Sequence, residues 1–470
     1  MPMRHALLLP LLLATTSVAA QTGGEREQAL HARAIAAGYK ALTLCSAHFN
    51  AGRTPAQVEA LELVGIYPEY QAAVDALDAV VDPAARTVSV AFDVALPPRI
   101  AAWRPNLGCT QLRIGAAAQA IAALPRFDAA APQLDDAPWP LGDRDATAAP
   151  RGDRAALEQA VADAFDTGRY GDGHATTAVI VVQDGRIIAE RYREGFGPHV
   201  SQRTWSVAKS LAGALVGVAQ AAGELDPAAP AAVTEWQAPG DPRRAITVDQ
   251  LLRMSSGLHS DTAGNRTDAL YFGGVTVAEA ATGWPLVHPP GSRFRYANND
   301  SVLAVHALRA ISGNEARALS RPFTDLFWPL GMTRTRAETD WRGGFVLSSQ
   351  VWSTARDLAR FGLLLQNDGL FDGRRMLPEG WVRAATTPSG PQPEGDFGYG
   401  ATLWLMQRSP GVPPDTFAAF GNRGQYVIVT PSRGVVLVRR GEDPTGKRFD
   451  PARFAGAVLE ALPGSGVPAP

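Results

Sequence analysis

Two residues near the middle of the chain, Ser206 and Lys209, have the types and the spacing of a serine nucleophile and its base. Only three of the 44 basic residues are lysines, so a chain that otherwise uses arginine has a lysine at this point. Arginine stays protonated in proteins, whereas a desolvated lysine amine can lose its proton and accept another. Residues three apart on a helix share a face, so the two side chains are expected to point into the same space.

The segment that follows Ser206 predicts a buried helix. Residues 206–222 are rich in Ala, Gly, Leu and Val on every side, which is typical of a helix packed between layers. The positive end of its dipole would stabilise a serine alkoxide and disfavour a protonated amine. A Ser-x-x-Lys pair alone is a weak motif, and the alternative is that Lys209 extends along the helix to reach solvent.

A second group with chemical potential is the triplet Tyr296-Ala297-Asn298. Of the nine tyrosines only Tyr296 heads a Tyr-x-Asn triplet, and it follows the turn signal Pro290-Gly291, which predicts a loop. A tyrosine beside an ammonium can be held as a phenolate or can relay a proton to a leaving group. The Asn298 amide can hydrogen-bond both protein and substrate.

The elements around these residues predict an α+β fold. Residues 177–182 and 186–190 flank Asp184-Gly185, a pair that favours a tight hairpin turn. A second hairpin is predicted at residues 426–438, followed by a helix that Asp450-Pro451 would begin. Hairpins at both ends, with helices between them, predict an antiparallel sheet flanked by helices with a helical subdomain.

The N-terminal part has a different organisation. Residues 1–20 have a short basic start, an apolar run and a small-residue cleavage site, which predict a signal peptide and a periplasmic or secreted protein. Residues 21–115 change from helical to strand periodicity, with a strand predicted at residues 87–94, and indicate a small α/β domain. Residues 116–152 are crowded with Ala, Pro and Asp and are interpreted as a linker before a domain at residues 153–470.

The two cysteines, Cys45 and Cys109, both lie in the N-terminal domain. In an oxidising compartment such a pair is expected to form a disulfide; the alternative is two buried thiols. Cysteines and histidines show no metal-ligand spacing, so no metal or other cofactor is predicted.

Composition excludes several classes of function. The formal charge of −2 gives no indication of binding to nucleic acid or to an anionic membrane surface. No segment of the mature chain has the ~18 uninterrupted apolar residues of a membrane helix.

Together these motifs resemble the β-lactamase-like serine hydrolases of the penicillin-recognising fold. That group includes class C β-lactamases, D-Ala-D-Ala carboxypeptidases, β-lactamase-type serine esterases and 6-aminohexanoate-dimer hydrolases. The resemblance covers about residues 151–462 and extends to the stretches at residues 251–258 and 353–362. Trp205-Ser206 and the stretch at residues 421–425 look most like the esterase and 6-aminohexanoate-dimer hydrolase branch.

The third motif departs from the family pattern. Many relatives carry Lys-Thr-Gly on the strand that borders the site, where the lysine helps to bind a substrate carboxylate, but residues 417–425 contain no lysine. The resemblance implies that Gly421, Asn422 and Gln425 contribute to substrate binding. Arg423 is interpreted as a solvated residue of the hairpin edge, with carboxylate binding as the alternative.

The resemblance implies acyl transfer through an ester of Ser206, with Lys209 and Tyr296 as the acid and base. A small ester, amide or peptide is the expected substrate, and a carboxypeptidase or a β-lactamase is the alternative. A member without activity that binds peptidoglycan fragments or a partner protein is an alternative of another class. An α/β-hydrolase is excluded because no Gly-x-Ser-x-Gly stretch occurs.

Overall fold

The computed structural model describes residues 11–65, 67–166, 168–259 and 267–462, with side chains from residue 23 onward. The first ten residues of the predicted signal peptide lie outside the described residues, as do the side chains of its remainder. Export therefore stays a prediction.

The α-helices of the described residues are distributed along the whole chain. In chain order they are α1 (Leu11–Ala51), α2 (Pro55–Ala60), α3 (Pro68–Ala76), α4 (Arg154–Asp163), α5 (Val207–Ala221), α6 (Val248–Leu252), α7 (Asp268–Tyr271), α8 (Val277–Ala281), α9 (Asn298–Ala310), α10 (Glu315–Arg321), α11 (Ala355–Gln366), α12 (Trp381–Thr386) and α13 (Pro451–Ala461). The capping box predicted for α6 is confirmed: Thr247 Oγ1 accepts from Gln250 N, and Gln250 Oε1 accepts from Thr247 N.

Strands form a small N-terminal sheet, a large central sheet and two minor ones. Their bounds are β1 (Ala79–Asp82), β2 (Thr87–Val90), β3 (Arg99–Arg104), β4 (Gly108–Gln111), β5 (Thr176–Gln183), β6 (Arg186–Tyr192), β7 (Gln202–Arg203), β8 (Arg336–Ala337), β9 (Val351–Ser353), β10 (Leu370–Phe371), β11 (Arg374–Arg375), β12 (Gly398–Tyr399), β13 (Trp404–Leu405), β14 (Phe417–Gly421), β15 (Gln425–Thr430) and β16 (Val435–Gly441). The predicted strand at residues 87–94 is wrong in its second half, since β2 ends at Val90.

The central sheet joins the two predicted hairpins. Its order is β12-β13-β14-β15-β16-β5-β6, and each paired neighbour is antiparallel. Strand β5 therefore lies beside β16, more than 250 residues later in the chain. This arrangement confirms the predicted α+β class, in which distant segments assemble one antiparallel sheet.

Both faces of the central sheet are covered, which explains why the middle of β5, residues 178–182, is apolar at every position. Ile180 and Val182 of β5 pack on the side of α5 and α11, whereas Val179 and Val181 pack on the side of α4 and α13. Successive strand residues point to opposite faces, so a strand buried on both faces has no polar alternation.

The N-terminal sheet, β1-β2-β3-β4, packs on α1 and is fastened to the rest of the chain by buried polar contacts. Arg99 donates to Phe272 O at 2.7 Å. Glu338 accepts from Ser46 Oγ at 2.6 Å and from the backbone of Cys109 at 3.0 Å. The pKa of Glu338 is raised to about 7 because the carboxyl is fully buried.

The predicted linker, residues 116–152, lies against the central sheet and is not a free spacer. Trp139 is 5% exposed, and its indole donates to Gly185 O at 2.7 Å. Arg360 of α11 donates to Pro140 O and pairs with Asp143 at 2.7 Å. The stretch at residues 353–362 thus serves a structural purpose, and the predicted domain boundaries stay predictions.

A disulfide joins Cys45 of α1 to Cys109 of β4, and no free cysteine remains. Because the bond closes 64 residues of sequence, replacing both cysteines by alanine is expected to lower the free energy of unfolding by about 4 kcal/mol. Denaturant unfolding of the double variant measures this. Wild-type protein kept in a reductant is the control and should shift as far; equal midpoints for oxidised and reduced wild-type protein would contradict the prediction.

Candidate active site

Ser206 lies between a short strand and the first turn of α5. Strand β7 ends at Arg203, and Thr204 N donates to a β9 carbonyl at 2.8 Å. Trp205 then has φ of +49°, a left-handed conformation that costs a non-glycine residue about 1–3 kcal/mol. The Arg203 guanidinium covers the Trp205 ring at 3.7 Å and helps to hold this turn. The strained residue turns the chain from the strand into the helix, directly before the serine.

The backbone N–H of Ser206 is at the positive end of α5. Among the described residues we find no acceptor for it, as is usual for the first N–H groups of a helix. It is therefore available to a ligand oxygen.

Lys209 contacts three oxygen atoms. Its Nζ lies 3.1 Å from Ser206 Oγ, 2.5 Å from Asn298 Oδ1 and 2.9 Å from the carbonyl oxygen of Ser348. Asn298 Oδ1 and Ser348 O can only accept, whereas a serine hydroxyl can donate or accept. A neutral Lys209 amine therefore satisfies the set completely: it donates to two acceptors and offers its lone pair to the Ser206 hydroxyl.

Burial favours that neutral amine. Lys209 is 1% exposed, and desolvation lowers the pKa of its amine from 10.5 to about 7. No carboxylate within the described residues forms an ion pair with it, so nothing offsets the cost of burying an ammonium. The alternative that Lys209 extends to solvent is wrong.

Tyr296 completes the group. Its ring centroid lies 5.1 Å from Lys209 Nζ, and its hydroxyl is close enough to the Ser206 and Trp404 side chains for both to act on its pKa. Burial raises the pKa of Tyr296 above its ordinary value. The hydroxyl is therefore a neutral phenol, which favours the proton relay over the phenolate among the two predicted roles.

The Tyr296 loop is held in place by the stretch at residues 251–258 and by the first turn of α9. Asp300, in the first turn of α9, accepts from the Ser256 hydroxyl at 2.9 Å. Arg295 N donates to Met254 O at 2.8 Å, and Gly291 N donates to Ser255 O at 2.7 Å. These contacts explain why the stretch at residues 251–258 accompanies the Tyr-x-Asn triplet.

Asn298 lies inside the group and is 1% exposed. Besides accepting from Lys209, its amide donates to Thr267 Oγ1 at 3.3 Å. Of the two predicted partners of this amide, protein and substrate, the structure shows the protein.

An aromatic wall extends from the Tyr296 hydroxyl to the central sheet. It is formed by Tyr296, Tyr399, Trp404 and Phe420. Ring centroids are 5.3 Å apart for Tyr296 and Trp404, 4.9 Å for Tyr399 and Trp404, and 5.9 Å for the stacked pair Trp404 and Phe420. Trp404 and Phe420 are partly exposed, so the wall presents an apolar surface beside Ser206.

The end of β14 approaches the serine from the other side. A Cβ on Gly421 would lie 2.4 Å from Thr204 O, so only glycine fits at this point. Strand β13 pairs with β14 only as far as Ala418, which leaves the backbone of residues 419–421 without a strand partner on that edge. Asn422 follows in the turn, where it is exposed.

Two predictions for this hairpin are wrong. Gln425 is fully buried; its amide donates to Gly441 O at 2.5 Å and accepts from Arg440 at 2.6 Å, so it cannot bind substrate. Arg423 is neither solvated nor available to a carboxylate substrate. It is 5% exposed and pairs with Glu442 at 2.6 Å.

The other N–H groups of Arg423 donate to the N-terminal part of the chain. Its guanidinium donates to Val64 O at 2.7 Å and to Leu61 O at 2.9 Å. The arginine thus links the hairpin beside Ser206 to the segment after α2.

Two contributors to the site, Ser348 and Trp404, have little or no signal in the sequence. Ser348 contributes a backbone carbonyl, which any residue type would supply. Trp404 belongs to a strand of two residues, and its only sequence signal is a pair of aromatic residues, Tyr399 and Trp404, beside a predicted hairpin.

Within the described ranges, no cluster of His, Cys, Asp and Glu side chains could hold a metal ion. In the same part of the chain, no helix has the length and apolar character needed to cross a membrane.

Comparison with known proteins gives the same assignment as the geometry. Residues 157–455 match the family model described as Beta-lactamase. A 6-aminohexanoate-dimer hydrolase of Paenarthrobacter ureafaciens is 29% identical over 301 residues, which are 56% of this chain and 72% of that protein.

Two solved structures share the fold. A family VIII carboxylesterase is 18% identical, with a TM-score of 0.54, over 67% of this chain and 99% of its own. A penicillin-binding protein homologue of Caulobacter crescentus is 19% identical, with a TM-score of 0.51, over 67% and 99%. The family match covers more than half of the chain, and the site brings together the serine, lysine and tyrosine that carried the family resemblance. The chain therefore belongs to the β-lactamase family, whose members are serine hydrolases.

Proposed function

We propose that the protein cleaves a small ester or amide through an acyl-enzyme on Ser206. The observation that carries the proposal is the contact set of Lys209 Nζ, with two obligate acceptors and the Ser206 hydroxyl at 3.1 Å. This arrangement suits a neutral amine that takes the serine proton as Oγ attacks a carbonyl carbon.

The charge that develops on the substrate oxygen would be stabilised by backbone N–H groups. One is the N–H of Ser206, at the positive end of α5, and the other belongs to the unpaired edge of β14 at residues 419–421. Such donors are fixed before the reaction, so they need no reorganisation as charge builds up.

Tyr296 would carry the proton to the leaving group. Its hydroxyl is neutral and close to Ser206, so it can protonate the departing alcohol or amine while the Lys209 ammonium restores its proton. In the second half of the reaction, a water molecule loses a proton to Lys209 and Tyr296 and attacks the acyl-enzyme ester. Ser206 Oγ then leaves and takes up that proton. The opposite pKa shifts of Lys209 and Tyr296 support Lys209 as the base.

Residues 417–425, where relatives carry the third motif, support a substrate that has no carboxylate beside this strand. Residues 417–425 contain one cation, Arg423, and its guanidinium is buried and paired. A β-lactam or a D-Ala-D-Ala peptide would lose the charge contact that a lysine provides there. Esters and amides remain as the preferred class, and the names of the relatives, a carboxylesterase and a 6-aminohexanoate-dimer hydrolase, agree with this.

Export is a further part of the proposal. The pattern of residues 1–20 supports a cleaved signal peptide, and a disulfide between Cys45 and Cys109 is compatible with an oxidising compartment. N-terminal sequencing of the protein recovered from the periplasm or the medium tests it, and a retained Met1 would contradict it.

A fluorophosphonate probe followed by peptide mass mapping tests the nucleophile. We expect one adduct, on Ser206, and none in Ser206→Ala. Ser210→Ala is the matched control, because Ser210 lies on the same helix with its hydroxyl bonded to Thr402 O; it should label like the wild type. An unlabelled wild-type protein would overturn the proposal. A panel of aryl esters, linear amide oligomers, D-Ala-D-Ala peptides and a chromogenic cephalosporin then ranks the substrates.

The pH dependence follows from the lowered pKa of Lys209. Only the neutral amine can accept the serine proton, and its pKa is about 7. We therefore expect kcat/KM to rise about tenfold per pH unit below 7 and to level off above it. The rate of fluorophosphonate labelling should follow the same curve. A rate that is constant between pH 5 and 8 would show that no group with this pKa is the base.

A further inference from the structure

A cavity of about 540 Å³ lies between residues 112–125 on one side and α9, the start of α10 and the loop between β8 and β9 on the other. One wall comes from residues 112–125 and includes the apolar Ala120 and Leu124 as well as Arg113. The other wall contains Trp341, Arg309 and Arg342. No residue of the catalytic group lines it. Its size and mostly apolar lining with a few polar groups are those of a small-molecule site.

The charges of this cavity favour an anion. Two guanidinium groups lie over the Trp341 ring, that of Arg342 at 4.9 Å and that of Arg113 at 5.5 Å. Arg113 also pairs with Glu279 at 3.4 Å, whereas no carboxylate within the described residues pairs with Arg342. An exposed guanidinium beside an apolar wall can pair with an anionic head whose body packs on that wall.

Arg309 lines the cavity but is held by protein partners. Its Nη2 donates to Glu315 at 2.6 Å and to Arg342 O at 2.9 Å. Its Nη1 is buried and has no hydrogen-bond partner in the described part of the chain. This atom is inaccessible and lies beside Gly343, which does not line the cavity, so Arg309 offers no free donor to a ligand there. Glu315, the only acid of the lining, is already paired with Arg309.

We infer that this cavity binds a small amphipathic carboxylate, with its apolar body against Ala120 and Leu124 and its carboxylate at the guanidinium group of Arg342. The site is separate from the catalytic residues, and the inference does not depend on the proposed hydrolysis. A cation would meet three arginines. A fully polar anion would leave the apolar wall exposed to solvent and would gain nothing from it.

Calorimetric titration of the full chain with octanoate tests the inference, with 1-octanol and octylammonium as probes that have the same body and a different head. We expect octanoate to bind with 1:1 stoichiometry and at least about fivefold more tightly than either probe, the ratio that a partly exposed ion pair supplies. Equal affinity for octanol or octylammonium would overturn the assigned head-group contact.

Variants locate the site. Arg342→Gln is expected to weaken octanoate binding by about fivefold. Ala120→Trp, at an exposed position of the wall, should fill the cavity and abolish binding. Arg374→Gln is the matched control, since Arg374 is exposed on β11 and does not line the cavity. Octanoate affinity that is unchanged in both of the first two variants would place the bound ligand elsewhere and refute the inference.

Discussion

Replacing Lys209 by arginine is expected to lower kcat/KM by about 10³-fold, the usual size of a general-base contribution. The substitution keeps the positive charge and removes the base, because a guanidinium does not deprotonate in the accessible pH range. The measurement is the steady-state hydrolysis of whichever ester or amide the substrate panel selects, at pH 8, where the wild-type amine is neutral.

Two further variants make that result specific. Lys447→Arg is the matched control: the same change at an exposed lysine should leave kcat/KM unchanged. Lys209→Met keeps a side chain of similar length without a charge, so it should be as inactive as the arginine variant and remain folded. If Lys209→Arg retained activity within tenfold of the wild type, another group would have to take the serine proton.

Replacing Tyr296 by phenylalanine is expected to lower kcat/KM for the hydrolysis of amides and alkyl esters by about 10²-fold or more. The effect should be much smaller for nitrophenyl esters, because nitrophenolate leaves without being protonated. The dependence of the loss on the pKa of the leaving group therefore measures proton donation directly, apart from any change in packing.

Tyr399→Phe is the control for this second variant. Tyr399 belongs to the same aromatic wall, with its ring centroid 5.9 Å from that of Tyr296. It should lose little activity on any substrate. An equal loss for all leaving groups in Tyr296→Phe would mean that the hydroxyl positions Ser206 and does not donate a proton.

The catalytic group was accessible to sequence reasoning because local rules fix most of it. A serine and a lysine three apart share a helix face in any helix, and the rarity of lysine in this chain made Lys209 stand out. The hairpins were predictable in the same way, since Asp184-Gly185 and the period of the strands are local features. The sheet class followed from the positions of the hairpins in the chain.

Apart from the end of β2, the errors concern burial, which is a property of the assembled molecule. Arg423 and Gln425 lie on a hairpin that the sequence alone placed at an exposed edge. The structure covers this hairpin with the segment after α2, which comes more than 350 residues earlier in the chain. The packed linker is a similar case: nothing in a run of Ala, Pro and Asp indicates that Arg360 will bind its carbonyl groups.

The contacts of Arg423 and Arg99 also bear on protein engineering. The matched family region begins at residue 157, and an engineer would be inclined to express that region alone as a minimal enzyme. Such a truncation would remove the carbonyl acceptors of Arg423 at Leu61 and Val64, next to the catalytic hairpin. It would also remove Arg99, which donates to the carbonyl of Phe272. The N-terminal part is therefore an integral part of the hydrolase, to be transplanted or evolved together with it.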